Sequence, residues 1–511
     1  MFSSVQSGTL FGMDAFPVEA EVDVSDGMPT LDMVGYLGSE VKEAKERVRT
    51  ALRNCGVLLP PKRITINLSP ADIRKQGNAF DLPIAVALLK ALGFIEENAT
   101  EHIMMIGELG LDGRIKPVEG VLPMTLMAKE QGCRMCFVPY ENGIEAGAVT
   151  DIEVVGVKGL KEVMEILLGI RKKEVMVFDI HKALEENSND YLVDFAEING
   201  QVAVKRAMEV AVSGLHNILM IGPPGSGKTM IAKRVPTILP SLSVEESLEL
   251  SKIYSVSGKL IREGIKTLRP FISPHHTISP QALAGGGKIP RPGAVSLAHR
   301  GVLFLDELPE FKRDTLEILR QPMEDKEVHI ARINGNFVFP SNFLLLGAMN
   351  PCKCGFYPDR NRCNCTENEV HTYLSRISQP LLDRMDICVE ASEIPFRDLI
   401  ESGKNENSKS IRERVQKARI IQEKRFKDTR LFSNSDMGVK DIKKYCSLGI
   451  EEEKLLEVAF KGMRLSTRAY HKILKVSRTI ADLDASKKIE KKHLIEAIGY
   501  RTIDKRYWNN E

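Results

Sequence analysis

The sequence predicts an α/β protein in three parts: an N-terminal α+β domain, a core with a parallel β-sheet, and a C-terminal helical domain. Residues 1–168 alternate short β-like runs with helical stretches, and residues 193–395 alternate strands and helices around glycine-rich loops. Residues 396–511 follow helical periodicity throughout. Residues 169–192 are charged and only weakly periodic, which is typical of a linker.

Length and composition indicate a soluble protein of several domains. The 511 residues suffice for about three or four domains, and the apolar fraction of 43% is ordinary for a globular protein. No apolar run approaches the ~20 residues that a membrane-spanning helix needs. The N-terminus has no basic segment followed by an apolar one, so we expect no signal peptide. These features predict a cytoplasmic protein with reduced cysteines and no membrane partner.

The net charge of +2 hides an uneven distribution. Residues 401–511 carry 27 Lys and Arg against 17 Asp and Glu. Residues 251–300 carry eight basic side chains and one acidic side chain, Glu263. Such a segment is compatible with binding an anionic polymer and also with a solvated basic surface, and charge alone leaves both interpretations open.

Individual elements follow from apolar periodicity. In the N-terminal part, the predicted strands are "ITINL", "IMMIGEL", "MCFVP" and "IEVVGV", and the predicted helices are "SEVKEAKERVRTAL" and "DLPIAVALLKALG". In the C-terminal part, basic amphipathic patterns predict two long helices, "IRERVQKARIIQEKR" and "RAYHKILKVSRTIADL".

The core begins with the sharpest motif of the chain, "NILMIGPPGSGKTMIAKRV", in which an apolar strand runs into a glycine-rich loop and then a helix. This order is the context that a phosphate-binding P-loop requires. Backbone N–H groups of such a loop wrap phosphates, while Lys228 bridges the β- and γ-phosphates and Thr229 ligates Mg²⁺. The predicted nucleotide-binding residues are Gly222, Pro223, Pro224, Gly225, Ser226, Gly227, Lys228 and Thr229.

A second strand of the core, in "GVLFLDELPEF", supplies acidic groups. Four apolar residues, Val302 to Leu305, predict a buried strand that delivers Asp306 to the metal. Glu307 follows in position to polarise an attacking water. Together with the P-loop, these residues predict nucleoside triphosphate hydrolysis with ATP and Mg²⁺ as cofactors.

A third strand, "FLLLGAMN", ends in Asn350, and "SRISQPLLDRMDI" places Arg384 on the following helix–loop. This order of motifs resembles the AAA+ ATPases, in the clade of magnesium chelatase and the MCM helicases. The resemblance implies that Asn350 senses the γ-phosphate, that Arg384 enters a neighbouring subunit's site, and that Arg468 of "LSTRAY" is a second sensor in the helical lid. An arginine finger is worth about 10³–10⁵ in rate, so activity should require assembly.

A finer resemblance covers nearly the whole chain. The segments "PHHTISPQALAGGGKIPRPGAVSLAHRGVLFLDELPEF" and "AMNPCKCG" resemble the bacterial magnesium-chelatase-like proteins of the YifB/ComM family. This resemblance implies a homo-oligomer, a hexamer, that acts as a DNA motor driving branch migration in natural transformation. Ala294 departs from the Glu expected after "PG" in that family, which affects the contacts of the loop and not the ATPase.

Two segments of the core are predicted to touch a substrate. "HHTISPQALAGGGKIPRPGAV" is rich in glycine and proline, which predicts an exposed, mobile loop without a helix, carrying Lys288 and Arg291. "EVHIARINGNFVFPSNF" predicts a β-hairpin that turns at the Asn-Gly pair 334–335 and carries His329 and Arg332. The family resemblance places both segments near a central pore. Lys288, Arg291 and Arg332 are therefore candidate DNA contacts, and a purely structural hairpin stays open.

The segment "NPCKCGFYPDRNRCNC" concentrates four of the nine cysteines directly after the third strand. Thiols at this density suit a tetrahedral Zn²⁺ site, while free thiols and a redox sensor stay open. Zinc would close the insertion and present Arg360 and Arg362 as a rigid finger near the pore or a subunit interface. Elsewhere, the adjacent His275 and His276 are expected to pack or to form hydrogen bonds. The ligands of the predicted zinc site are Cys352, Cys354, Cys363 and Cys365.

Two N-terminal segments, "NLSPADIRKQGNAFDLPIAVALL" and "GELGLDGRIKPVEGVLPMTLMAKEQGCRMCFVP", resemble the Lon-protease-type domain. By that resemblance the serine position falls on Ala79 and the lysine position on Leu122, and neither side chain can do the chemistry. We therefore expect no peptidase activity and a role in assembly or in docking a protein partner.

The prediction is thus a ring-forming AAA+ ATPase in which hydrolysis moves the glycine-rich loop and the hairpin, pulling on single-stranded or branched DNA. Two other functions stay open. An ATP-dependent remodeller of a protein partner shares the ATPase motifs. A magnesium-chelatase-like motor subunit shares the core but needs partner subunits that this chain does not encode.

Overall fold

The computed structural model of the protein describes residues 1–187, 191–332, 335–395, 405–429 and 431–508. It confirms the predicted fold class, with an α+β N-terminal part, an α/β core on a parallel sheet and a helical C-terminal part. Among the helices in these ranges, none is both long enough and apolar enough to cross a membrane.

The N-terminal part is built on a mixed sheet. Its strands are β1 Phe2–Phe11, β2 Asp14–Ser25, β3 Thr30–Val34, β4 Arg63–Ser69, β5 Ile103–Met105, β6 Glu108–Leu109, β7 Ile115–Lys116, β8 Met135–Pro139 and β9 Glu153–Val157. Seven of them form one sheet in the order β3-β4-β2-β1-β5-β8-β9, while β6 pairs with β7. The four predicted strands lie at β4, β5–β6, β8 and β9. The long antiparallel hairpin of β1 and β2 has no counterpart in the prediction.

The described helices of the N-terminal part and of the segment that follows it are α1 Ser39–Lys42, α2 Ala44–Asn54, α3 Asp81–Ala91, α4 Val121–Glu130, α5 Gly143–Ala146, α6 Leu160–Leu167 and α7 Ile180–Asn187. The first predicted helix is interrupted at Glu43, between α1 and α2. α3 packs on β1, β2 and α2, and its buried Asp81 accepts a hydrogen bond from Arg47 at 2.7 Å. α7 lies within the segment predicted to be a linker, and its Ile180 is buried.

Five parallel strands form the sheet of the core. The core strands are β10 Ile218–Ile221, β11 Phe271–Ile272, β12 Gly285–Gly286, β13 Arg291–Pro292, β14 Val302–Leu305, β15 Glu327–Arg332, β16 Gly335–Pro340, β17 Leu344–Met349 and β18 Ile387–Glu390. The sheet order is β11-β14-β17-β10-β18. Every side chain of β10, β14 and β17 is buried, as expected for a parallel sheet covered on both faces. Because the carboxyl ends of parallel strands share one edge, the residues that follow these three strands meet there.

The helices cover the two faces of the core sheet and form the C-terminal part. The core helices are α8 Val202–Gly214, α9 Lys228–Arg234, α10 Val244–Val256, α11 Leu260–Glu263, α12 Pro280–Ala284, α13 Ala294–Leu297, α14 Arg313–Glu317, α15 Arg320–Asp325, α16 Glu367–Leu374 and α17 Gln379–Leu382. The C-terminal helices are α18 Ser408–Phe426, α19 Val439–Tyr445, α20 Ile450–Gly462, α21 Thr467–Leu483 and α22 Lys491–Trp508. The two predicted long helices correspond to α18 and α21. α18 packs on α8 and α21, and α22 packs on β18, so the helical part closes the β18 edge of the core.

The N-terminal part docks on the core through α4 and α10. At the edge of this joint, the Ser255 hydroxyl donates to Oε2 of Glu145 at 2.7 Å, and the Ser255 carbonyl accepts from the amide of Gly120 at 3.1 Å. A single apolar cluster therefore spans both parts, and its buried members include Leu122, Leu250, Ile253 and Tyr254.

Candidate functional site

The loop between β10 and α9 is held tightly at the edge of the sheet. A Cβ atom at Gly222 would lie 2.2 Å from the carbonyl oxygen of Ala391, so a side chain at this position would push the loop off its neighbour. Gly227 has a φ of +84°, a left-handed conformation that favours glycine, directly before α9 begins at Lys228. The free N–H groups of the first turn of α9 consequently face the space that the loop encloses.

Lys228 folds back over this loop. Its Nζ donates to the carbonyl oxygens of Gly222 and Pro223, both at 2.8 Å, and to Oδ1 of Asn350 at 3.1 Å. Burial lowers the pKa of Lys228 to about 8, against an opposing effect of the Asp306 charge. A phosphate oxygen in place of these neutral acceptors would give the ammonium a counter-charge and a stronger hydrogen bond.

Thr229 and Asp306 meet across the loop, where the Thr229 hydroxyl donates to Oδ2 of Asp306 at 2.6 Å. Hydroxyl and carboxylate oxygens are ligands that Mg²⁺ prefers, and these two are close enough to share one ion. The donor set therefore fits the predicted Mg²⁺. Glu307 follows Asp306 with a φ of +49° and a side chain that is 62% exposed. Non-glycine residues held in this conformation cluster at functional sites.

Two further side chains lie at this site, and only one of them belongs to a sequence motif. Nε2 of Gln201 donates to the carbonyl oxygens of Ser226 (3.0 Å) and Ser392 (2.5 Å), so it ties the loop to the segment after β18. Nδ1 of His276 lies 3.7 Å from Oε2 of Glu307. The position of His276 in the glycine- and proline-rich segment could have located it, whereas nothing in the local sequence indicates Gln201.

The two arginines predicted to act on the γ-phosphate lie together elsewhere. Arg384 pairs with Oε1 of Glu324 at 2.5 Å, and Arg468 lies 3.9 Å from Oδ2 of Asp383. Both line one cleft of about 820 Å³ between the core and the helical part. Of the described residues that line this cleft, none belongs to the loop 222–229. The fold thus groups Arg384 and Arg468 with each other, whereas Asn350 lies beside Lys228.

The three candidate DNA contacts also converge. Lys288, Arg291 and Arg332 line one cleft of about 970 Å³ between the glycine-rich segment, the β15–β16 hairpin and the N-terminal part. Nε of Arg332 donates to the carbonyl oxygen of Gly287 at 3.4 Å. The hairpin is confirmed, with Arg332 opposite Gly335, while the predicted turn residue Asn334 lies outside the described residues.

The glycine-rich segment differs from the expected free loop. Residues Pro280–Ala284 form α12 after the N-cap Ser279, because proline is tolerated in the first turn of a helix. β12 and β13 then pair across the glycines, and Arg291 forms an ion pair with Glu119 of the N-terminal part at 2.7 Å. The prediction that this segment contains no helix is therefore wrong, and the segment is anchored to its surroundings.

The four clustered cysteines come together. Their Sγ atoms all lie within 4.8 Å of one another. The Sγ atom of Cys352 is 3.3 Å from that of Cys354 and 3.8 Å from that of Cys363. All nine cysteines are among the described residues, and no disulfide joins any two of them. The arrangement leaves the thiols of the cluster facing a common centre.

The segment between the two cysteine pairs folds back on the core instead of projecting as a finger. Arg362 pairs with Glu393 at 2.7 Å and stacks on the ring of Phe356 at 4.0 Å. Arg360 donates to the carbonyl oxygen of Cys365 at 2.9 Å. Both guanidinium groups are thus engaged within the chain.

The two positions that would carry Lon-type chemistry are apolar and buried. Ala79 is 8% exposed, and Leu122 is fully buried in the joint with α10. Next to this joint, burial raises the pKa of Glu145, against hydrogen bonds from Ser255 and Asn142. A packing contact therefore stands where the lysine of a Lon-type site would be.

The parallel sheet, the strand-end loop with Lys228 and Thr229, and the acidic pair after β14 are those of P-loop ATPases of the AAA+ class. Profiles of one protein family match most of the chain. "Magnesium chelatase, subunit ChlI" matches residues 194–399, "Subunit ChlI of Mg-chelatase" matches residues 20–142, and "Magnesium chelatase, subunit ChlI C-terminal" matches residues 405–501.

Full-length relatives narrow the family further. The chain is 40% identical over 500 residues to the competence protein ComM of Haemophilus influenzae, covering 98% of this chain and 97% of ComM. It is 40% identical over 505 residues to YifB of Escherichia coli, with the same coverage. Lon protease 2 of Bacillus subtilis is 33% identical over 131 residues, which cover 25% of this chain and 23% of that protease. The chain belongs to the ComM/YifB family of magnesium-chelatase-like AAA+ ATPases.

Proposed function

We propose that the protein is a ring-forming ATPase that couples ATP hydrolysis to the remodelling of single-stranded or branched DNA, as a helicase or branch-migration motor in natural transformation or recombination. The observation that carries the DNA part of this proposal is the convergence of Lys288, Arg291 and Arg332 on one cleft, although Arg291 and Arg332 are 41 positions apart in the chain. The 40% identity to a protein named for competence supports the pathway.

In the proposed mechanism, Lys228 and the loop amides hold the β- and γ-phosphates, and Thr229 and Asp306 hold Mg²⁺. The ion supplies neutralisation of the phosphate charge. Glu307 orients the attacking water and draws its proton. His276, 3.7 Å from the Glu307 carboxylate, restricts where that carboxylate points.

We propose that the site is completed by a second copy of the chain. Arg384 and Arg468 share a cleft that the P-loop does not line, which supports a role for them at a neighbouring subunit's nucleotide. Each ATP site then lies between two protomers of a homo-oligomeric ring, a hexamer. Asn350 directly follows β17 and accepts a hydrogen bond from Lys228 of the same chain. In this proposal it senses the γ-phosphate.

DNA binding must displace contacts that already exist in the cleft. Arg291 is paired with Glu119, and a DNA phosphate would take the place of that carboxylate. Because phosphate contacts release counterions, binding weakens steeply as salt rises. In this proposal the N-terminal part competes with DNA for Arg291, and it also docks a protein partner.

The test is the ATPase rate with and without single-stranded, forked and four-way-junction DNA over a salt series, with Glu307→Gln as the inactive control. We expect salt-sensitive stimulation that is greatest with branched DNA. The triple variant Lys288→Ala, Arg291→Ala, Arg332→Ala should lose the stimulation and keep its basal rate. A matched variant with three other exposed lysines neutralised, Lys443, Lys454 and Lys488, should behave as the unmodified protein.

Two outcomes would count against the proposal. Full stimulation of the triple variant would show that DNA binds elsewhere. A rate that no DNA changes, in protein verified to be an assembled ring, would favour the remodelling of a protein partner.

A further inference from the structure

The four clustered thiols have the spacing of ligands around one ion. Zinc–sulfur bonds of ~2.3 Å in a regular tetrahedron put neighbouring sulfur atoms about 3.8 Å apart. The Sγ–Sγ distances are 3.3 Å for Cys352–Cys354, 3.5 Å for Cys354–Cys363 and 3.8 Å for Cys352–Cys363. A disulfide would need about 2.05 Å, so the thiols converge without bonding to one another.

The surroundings of the thiols also suit a metal. Cys352 is fully buried and Cys363 is 5% exposed, while the other two are partly covered. The amide of Gly355 donates to Sγ of Cys352 at 3.2 Å, a hydrogen bond of the kind that stabilises metal-bound thiolates. Four sulfur ligands in a tetrahedral arrangement select Zn²⁺ over harder ions such as Mg²⁺.

The loop that these thiols close, residues 352–365, touches the nucleotide site on one side. We call it the cysteine loop. A Cβ atom at Gly355 would lie 2.4 Å from Cδ of Pro224, so Gly355 packs against the ring of Pro224 without room for a side chain. The cysteine loop also begins two residues after Asn350, whose side chain holds Lys228.

A second contact reaches the P-loop from the other side. Arg362 of the cysteine loop pairs with Glu393, next to Ser392. The Ser392 carbonyl accepts from Gln201, which also donates to the carbonyl of Ser226. The cysteine loop therefore contacts the P-loop directly at Pro224, and it is linked to Ser226 through Glu393, Ser392 and Gln201.

We propose that Cys352, Cys354, Cys363 and Cys365 bind one Zn²⁺ and that the metal-closed cysteine loop keeps the P-loop in its nucleotide-binding conformation. The 14-residue cysteine loop, all of which the structure describes, contains no helix or strand whose hydrogen bonds would fix its backbone, and the metal supplies a cross-link. Loss of the metal would release Pro224, Asn350 and Glu393 together. The second half of this proposal rests on the proposed ATP site; the first half does not.

Metal content tests the first half without any ATPase assay. Elemental analysis of the full chain should give one zinc per chain, and Cys352→Ser should reduce it to a trace. Cys55→Ser, at a cysteine outside the cluster, should keep the zinc. Because a cysteine variant can fail to fold, the unmodified protein is also exchanged with Co²⁺, which should give the thiolate-to-cobalt absorption of a tetrahedral sulfur site. Protein with neither zinc nor a cobalt spectrum overturns the metal site.

Binding of a fluorescent ATP analogue tests the second half with two arginine variants, one inside the loop and one outside it. Arg362→Ala breaks the contact with Glu393 and should keep its zinc while weakening nucleotide binding about threefold. Arg134→Ala, at an exposed arginine of the N-terminal part, is the control and should change neither quantity. Zinc removal should weaken binding about tenfold or more. A zinc-free protein that binds nucleotide as well as the zinc form overturns the coupling and leaves the metal site standing. If neither form binds nucleotide, the proposed ATP site fails and the coupling with it, while the zinc content still decides the metal site.

Discussion

The core resembles the AAA+ ATPases and the N-terminal part resembles the Lon proteases. The two parts differ in the side chains at the positions where, by these resemblances, the catalytic groups would lie. At the edge of the core sheet these positions carry polar side chains that form hydrogen bonds. Thr229 donates to Asp306, and Lys228 donates to Asn350. In the N-terminal part, Ala79 and Leu122 are apolar and buried.

This difference shows that a chain can resemble an enzyme family without carrying polar side chains at the positions of that family's catalytic groups. The N-terminal part forms a seven-stranded sheet, and the chain is 33% identical over 131 residues to a Lon protease. A buried amine without a partner destabilises the folded state. An apolar side chain at a buried position stabilises the fold, and Leu122 packs in the apolar cluster that it shares with α10 of the core.

The largest expected effect concerns completion of the polar site by a second subunit. Arg384→Ala should lower turnover by about 10³-fold in an assembled ring, because the finger stabilises charge on the transferred phosphoryl group. Arg320→Ala, at an arginine in a surface pair with Glu317, is the control. Mixing Arg384→Ala subunits with Glu307→Gln subunits should restore part of the activity, since each variant supplies what the other lacks. An Arg384→Ala ring with a normal rate would contradict the interpretation.

Restoring the Lon-type groups would test the apolar site. Leu122→Lys combined with Ala79→Ser should give no peptidase activity and should lower the free energy of unfolding by about 3 kcal/mol, because the joint buries the new charge. Glu145 is already bonded to Ser255 and Asn142 and offers incomplete compensation. Leu111→Lys, at a leucine that is 56% exposed, should cost less than about 0.5 kcal/mol. Denaturant titration and a peptide-cleavage assay measure both outcomes, and detectable cleavage would show that the scaffold kept its catalytic geometry.

The lowered pKa of Lys228 predicts that ATP binding depends on pH. Its pKa is lowered to about 8 without nucleotide, and phosphates favour the ammonium form, so binding takes up a proton above about pH 8. The affinity for ATP should be constant from pH 6 to 7.5 and about tenfold weaker at pH 9. The ligand-free fold itself should gain stability as pH rises from 8 towards 10.5, since the lowered pKa penalises the charged form. Calorimetry in two buffers counts the protons, and Lys228→Arg, which stays charged, should abolish the pH dependence.

The smallest expected effect concerns the ion pair between the two parts at the cleft that Lys288, Arg291 and Arg332 line. Glu119→Gln removes the carboxylate that pairs with Arg291, so DNA affinity at low salt should rise about twofold. The pair is about half exposed on each side, which limits the gain. Glu130→Gln, at the exposed end of α4, serves as control. Weaker DNA binding by Glu119→Gln would mean that the ion pair positions Arg291 for DNA and does not compete with it.

Local patterns account for the parts of the molecule that could be predicted. The P-loop, the strand ending at Asp306 and the β15–β16 hairpin each depend on a few adjacent residues, and the structure has all three. The β1–β2 hairpin could not be predicted because its inward positions include Ser3, Ser7 and Thr9. These residues are buried although they are polar, so they interrupt the apolar alternation that indicates a strand. Ser3 satisfies its hydroxyl by donating to the carbonyl oxygen of Ala87 in α3, a partner that sequence cannot supply.

Long-range packing decides the rest of the site. The joint location of Arg384 and Arg468 depends on how the helical part closes against the core, and the anchoring of Arg291 depends on Glu119, which is 172 residues away in the chain. Gln201 reaches the P-loop only because β18 returns beside β10. Such contacts leave no periodic signal in the sequence.

The joint between α4 and α10 has a consequence for how this architecture can be recombined. An ATPase core cut free at the linker would present Leu250, Ile253 and Tyr254 of α10 to water, together with the hydroxyl of Ser255. Exposed apolar area of this kind drives self-association. A chimera that borrows the ATPase core must therefore also borrow the N-terminal part that covers α10.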